Sequence, residues 1–179
     1  MIFQGGTLHA SVCGHLETLC GQSNFLELGA LVAVLRTASM VHQSHHWQTS
    51  GPSYYGDHLL FERLYNDSQP FIDQVAERTI GSGGSPDLLC PKVQAELLDK
   101  ITDQCPSVSN AASMVNCSLG IERYVLNCVN DTRVALENKG QLSNGTDNLL
   151  QGIADKHEQF IYLLQQRQQA RVASYKYRR

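Results

Sequence analysis

Phe25, Leu28, Leu31, Val32, Leu35 and Met40 recur at three- and four-residue steps, the repeat of an amphipathic helix. That pattern predicts a helix from about Ser23 to Thr49, with Ser23 or Asn24 as its N-cap and Glu27 near the capping-box position. Ser50-Gly51-Pro52 stops it. Leu59, Leu60, Leu64, Phe71, Val75 and Ile80 predict a second helix from about Tyr54 to Ile80, ended by Gly81-Ser82-Gly83-Gly84. Pro70 lies inside it and predicts a kink rather than a break. A short helix over about Pro91–Thr102 follows, then a long one over about Ser109–Asn138 that stops at Lys139-Gly140. The last begins near Asn144 and runs to about Arg171. Four long helices with short connections make an all-α four-helix bundle, with the extra short helix between the second and third. Residues 1–22 form an N-terminal extension with a turn or helix over Leu8–Cys20, residues 23–171 the bundle, and residues 172–179 a basic C-terminal tail.

Composition narrows the class. With 179 residues, 42% of them hydrophobic, the chain is one domain with a substantial core. Only 17% of residues are charged, and 14 basic against 17 acidic side chains leave a formal net charge of −3. Those figures exclude a disordered polyelectrolyte and a protein wholly covered in basic charge. No Lys or Arg precedes Arg36, so the basic start of a secretory signal is missing. The nearly apolar run Leu28–Leu35 is far shorter than the roughly 18–20 residues of a membrane span. No two of the six cysteines are spaced as C-x-x-C, which predicts reduced, mostly buried thiols in a cytoplasmic protein.

Histidine is concentrated where chemistry is expected. His42, His45, His46 and His58 fall around the end of the first long helix and the start of the second. Beyond them, His58 and Glu62 are four apart, as are Asp73 and Glu77, so each pair shares a helix face. Within one straight helix the pairs cannot share an ion, because His58 and Asp73 are about 22 Å apart at 1.5 Å per residue. However, positions 58 and 77 have the same midpoint as positions 62 and 73. Two such helices packed antiparallel about a two-fold axis near Asp67 and Ser68 bring His58 level with the mate's Glu77, and Glu62 level with the mate's Asp73. His46 joins from the end of the preceding helix. Two imidazoles and three carboxylates suit Fe(II), with Mn(II) and Zn(II) as competitors. The competing reading is a solvated helix face carrying ordinary charges. No Glu is followed by His three residues later, which disfavours a di-iron centre inside one bundle.

The stretch His46-Trp-x3-Gly-x2-Tyr-x3-His58-x3-Glu62-x10-Asp73-x3-Glu77 resembles the signature of the Dps family, the DNA-binding mini-ferritins of starved cells. Ala76-Glu77-Arg78 before a glycine-rich turn matches too, and Gly145-Thr146-Asp147 to His157-Glu158 resembles the start of the family's last helix. The resemblance covers about Leu28–Leu164. It implies a ferritin-like bundle assembled into a hollow dodecamer and a ferroxidase that oxidises Fe(II), preferably with hydrogen peroxide, and stores ferric mineral. His46, His58 and Glu62 then come from one subunit, and Asp73 and Glu77 from its mate. Trp47, with Tyr54 or Tyr55, is a candidate radical sink, or equally a packing residue of the helix corner. Glu62 stands where many members carry Asp, and six cysteines are unusual for the family. Acid-lined three-fold pores are implied for iron, with Asp147 as the candidate this sequence offers.

DNA binding rests on other residues. No acid follows Glu158, while Arg167, Arg171, Lys176, Arg178 and Arg179 do, interleaved with Tyr175 and Tyr177. Arg171, Lys176, Arg178 and Arg179 are candidates for non-specific phosphate contacts, multiplied by avidity on a shell and bringing the protein to the nucleoid. Against this, a short basic end also complements a helix dipole or simply solubilises. Two alternatives lack the chemistry: a structural DNA-compacting shell with a vestigial metal site, and a His-rich zinc-binding bundle.

Overall fold

A computed structural model describes the backbone of residues 5–176 and the side chains of residues 10–169. Its helices are α1 (Gly5–Cys20), α2 (Leu26–Gln48), α3 (Tyr54–Gly81), α4 (Pro91–Thr102), α5 (Ala111–Asn138) and α6 (Asn144–Lys176), with a 3-10 turn at Pro86–Leu89 before α4. The long helices α2, α3, α5 and α6 form the bundle, and the short α4 packs on α2 and α1. Among the described residues no helix is long and apolar enough to cross a membrane.

Local chemistry explains most of the boundaries. Asn110 caps α5 by accepting from the Ala112 and Ser113 N–H groups at 3.0 and 3.1 Å, and Ser113 Oγ accepts from the Asn110 N–H at 3.1 Å. The expected cap of α2 is corrected. Phe25, not Ser23 or Asn24, precedes that helix, in the left-handed region at φ 59° and with no side-chain cap. Phe25 is buried in the core, so seating its ring outweighs a polar cap. Ser23 Oγ instead accepts from the Ser85 N–H at 3.3 Å, and Glu27 pairs with Lys139 at 2.6 Å. Helix α3 runs uninterrupted through Pro70, and α6 continues five residues past the expected end at Arg171.

The core has two apolar parts. The larger joins α1, α2, α4 and α5 through residues such as Leu16, Leu31, Leu97 and Ile121. Gly29 allows this packing, because a Cβ there would lie only 3.0 Å from Leu88 Cβ and 3.4 Å from Leu16 Cδ2. The smaller part joins α3, α5 and α6 through Phe61, Leu64, Leu119, Phe160 and Leu164. At that end the fully buried Asp57, in the first turn of α3, receives Arg167 of α6. The guanidinium Nε donates to Asp57 Oδ1, while one terminal nitrogen donates to Asp57 Oδ2 at 2.9 Å and to Ser53 Oγ at 2.7 Å. Arg167 is therefore committed to the fold and leaves the set of basic groups available to DNA.

Asp57→Ala strands a partly buried guanidinium and is expected to cost about 3–5 kcal/mol in urea denaturation, with Arg167→Ala comparable. A cost below about 1 kcal/mol, the value of an exposed pair, would show that this contact does not clamp α3 to α6.

Candidate metal centre

The corner between α2 and α3 turns at Gly51, whose φ of 87° favours glycine, and brings His46 and His58 face to face. Their rings stack at 3.7 Å between centroids with an interplanar angle of 22°. Each ring is held by the other residue's backbone: Nδ1 of His46 lies 3.0 Å from the His58 carbonyl, and Nδ1 of His58 lies 3.0 Å from the His46 carbonyl. The His46 carbonyl is available because it falls in the last turn of α2, where no further helical N–H reaches it. A carbonyl only accepts, so both Nδ1 atoms carry the proton. In the neutral rings the lone pair then sits on Nε2, the tautomer that ligates a metal. Tyr54 lies against His58 at 5.0 Å and Tyr65 edge-on to His46 at 5.5 Å.

Glu62 is half-buried one turn beyond His58 on α3. Asp73 and Glu77 are exposed further along that helix. Asp73 lines a cleft with Met40, Gln43, Leu89 and Leu98, while Glu77 lines a second with Arg78 and Asn148. The structure thus brings His46 and His58 together, with Glu62 on the same stretch of α3, and leaves Asp73 and Glu77 apart from them. Among the described residues no three His, Cys, Asp or Glu side chains of one subunit converge on a point fit for a metal ion. Trp47 is 68% and Tyr55 72% exposed, so in one subunit neither packs the corner. Asp147 is tied to Arg133 at 2.7 Å. Arg171 and Lys176 lie on the backbone of α6 with side chains outside the described residues, and Arg178 and Arg179 lie wholly outside them.

Sequence reasoning missed a buried polar chain in the bundle. His45 Nδ1 lies 2.9 Å from Ser118 Oγ, which lies 3.1 Å from His42 Nδ1. His42 Nε2 reaches Glu122 Oε1 at 2.6 Å, and His157 Nδ1 reaches Glu122 Oε2 at 2.5 Å. The signal was present: Ser118 and Glu122 are four apart within the apolar stripe of α5, and His157 lies between Ile153 and Phe160 on the inner face of α6. Burial alone pushes the Glu122 carboxyl up, but His157 and His42 outweigh it and hold it down at about 2. Burial, with His42 nearby, lowers His45 to about 4.

Because the folded carboxyl titrates below its ordinary value of 4.5, the unfolded chain binds more protons between about 2 and 4.5. The stability Glu122 contributes is present in full above that window and is lost as pH falls through it, with an amplitude on the order of 3 kcal/mol. Glu122→Gln is therefore expected to flatten the acid limb of a stability-versus-pH curve. An unchanged limb would contradict the ionised assignment.

Comparison with known proteins agrees with this architecture. A family model described as a ferritin-like domain matches residues 26–170. The chain is 28% identical over 137 residues to a nutrient stress-induced DNA-binding protein of Nostoc sp., covering 76% of this chain and 72% of the relative. It is 26% identical over 121 residues to a DNA protection during starvation protein of Brevibacillus brevis, covering 67% and 77% respectively. The crystal structure of Dps from Staphylococcus aureus superposes with a TM-score of 0.69 at 22% identity, over 82% of this chain and 98% of that one. The chain belongs to the ferritin-like family, as a member of its Dps branch.

Proposed function

We propose that the protein is a ferroxidase and iron store, in which Fe(II) is substrate at sites shared by two subunits and the ferric product collects inside a dodecameric shell. The observation that carries this reading is the His46–His58 stack, whose mutual carbonyl bonds leave two Nε2 lone pairs for a metal, with Glu62 one turn beyond His58 on α3. Completion by a mate is supported by α3 itself, where Asp73 lies about 22 Å from His58 and so is out of reach within one chain. A two-fold axis near Asp67 and Ser68 would bring the mate's Asp73 and Glu77 to the same place. Exposed Met40, Trp47, Tyr54, Tyr55 and Leu59 lie on the stretches of α2 and α3 such contact would cover.

Each part of the donor set has a task. Neutral imidazoles bind Fe(II) without needing to lose a proton, and carboxylates offset the extra charge as each iron is oxidised. Two Fe(II) give one electron each to one peroxide, whose O–O bond breaks to yield, with two protons, two waters. Pairing the electrons avoids the one-electron reduction that releases hydroxyl radical. Trp47 or Tyr54 would take up a stray oxidising equivalent. Protection of DNA is supported by what the Nostoc and Brevibacillus relatives are named for. In this chain Arg171, Lys176, Arg178 and Arg179 would make the direct, salt-sensitive contacts with phosphates.

Anaerobic loading with Fe(II) followed by a peroxide pulse tests the reading. The unaltered protein is expected to oxidise about two irons per peroxide rapidly, with little hydroxyl radical and with iron retained in a large particle. The His46→Ala/His58→Ala variant should keep its assembly state and fall to the rate of iron in buffer. An unaltered rate in that variant would overturn the site.

A further inference from the structure

The six cysteines, which the iron site does not use, form no disulfide and differ in where they sit. Cys117 and Cys128 are sealed in the core, while Cys13 and Cys105 are half-buried against it. Only Cys90 is exposed. It stands between the 3-10 turn and α4 as the residue before Pro91, and its side chain makes no cap bond to the helix. Cys20 is half-buried and ends α1, which packs on that turn and on α4. The two residues meet at one atom. The Cys20 thiol donates to the Asp87 carbonyl at 3.6 Å, and the Cys90 N–H donates to the same carbonyl at 3.1 Å. The Cys20 sulfur and the Cys90 nitrogen are therefore no farther apart than those two lengths together, although all of α2 and α3 lie between them in sequence.

We propose that Cys20 and Cys90 are a reversible disulfide site, with a peroxide as oxidant. Exposure decides which sulfur reacts first: a peroxide in solvent meets Cys90, whereas Cys20 is half-buried and holds the Asp87 carbonyl. The Cys90 thiol loses its proton, its sulfur bonds to one peroxide oxygen as the O–O bond breaks, and the departing hydroxide takes up a proton to become water. Cys20 then bonds to the Cys90 sulfur, displacing the sulfenic oxygen, which leaves with the Cys20 proton as a second water. Two thiols and one peroxide become one disulfide and two waters, the sulfurs losing the two electrons that the peroxide gains.

The surroundings suit the bond. Oxidation takes the Cys20 proton away from the Asp87 carbonyl, but the Cys90 N–H still meets that oxygen, so no acceptor is stranded. Closing the bridge brings the sulfurs to about 2 Å. Both residues stand at element ends, and Gly21, in the left-handed region at φ 71°, follows Cys20, so the adjustment falls on two junctions rather than on a helix interior. Burial, with the Asp87 carboxylate nearby, raises the Cys20 thiol, in keeping with a partner that holds its proton until the Cys90 sulfenic acid has formed. The bridge pins the end of α1 to the start of α4 and consumes peroxide without iron, so the inference does not depend on the ferroxidase reading.

Peptide mapping reads the bond directly. Cys90 is the one cysteine of tryptic peptide 79–92, and Cys20 falls with Cys13 in peptide 1–36, where cleavage after Glu17 separates the two. The iron-stripped full-length protein is treated with hydrogen peroxide, alkylated under denaturing conditions and digested without reductant. We expect peptide 79–92 to be joined to the fragment bearing Cys20, at about 2 Da below the sum of the reduced masses, and to be released by dithiothreitol. On a non-reducing denaturing gel the chain should stay monomeric, because both sulfurs belong to one subunit. Cys20→Ser should leave a dimedone-trappable sulfenic acid on Cys90. Full alkylation of both peptides after peroxide, a bond to Cys13, a Cys90–Cys90 link between chains, or irreversible sulfonic acid at Cys90 would each overturn the proposal.

Discussion

The two hydrogen bonds exchanged between His46 and His58 organise this molecule's chemistry. Each imidazole uses its Nδ1–H to reach the other residue's carbonyl, so one interaction closes the α2–α3 corner, fixes both tautomers and frees both Nε2 atoms. Neither residue could do this alone. His46 needs a helix interior carbonyl that can accept a second bond, and His58 needs the unsatisfied carbonyl at a helix end. The left-handed turn at Gly51 places those two carbonyls where the rings can find them.

Behind the corner the bundle carries a second polar constraint. The Ser118–His42–Glu122–His157 layer lies between the two apolar parts of the core and crosses from α2 through α5 to α6. A buried carboxylate is tolerated there because two imidazoles meet its two oxygens. The arrangement fixes the relative register of three helices more closely than interchangeable apolar contacts do. It also makes the stability that Glu122 contributes fall away in acid. Asp57 and Arg167 repeat the device at the end of the bundle, joining the start of α3 to α6.

The helices were legible because their apolar positions repeat at the helical period and their ends carry Gly, Pro and Asn. The short helix Pro91–Thr102 has the bounds its pattern predicts. The cap of α2 was not legible, because a polar residue before a helix says nothing about whether its aromatic neighbour must be buried. For the candidate site, spacing alone related His58 and Glu62 to Asp73 and Glu77, and the corner motif added His46. The stacking of His46 on His58 and the edge-on contact of Tyr65 with His46 depend on how sharply the chain turns at Gly51, which no periodicity encodes. Glu122 and His157 were hidden for the opposite reason: each is a single polar residue within an apolar stripe, and their meeting is a contact 35 residues apart.

The central claim is that one functional site is built from two subunits. Mixed assembly of two inactive variants tests it most directly. One variant is His46→Ala/His58→Ala and the other Asp73→Asn/Glu77→Gln. If ligands come from both subunits, a dimer containing one copy of each variant has one intact site and one doubly damaged site. Random pairing of equal amounts then restores about a quarter of the full number of sites, and peroxide-driven Fe(II) oxidation should return to about that level. Mixed shells as inactive as their parents would contradict the account and place the reacting iron elsewhere.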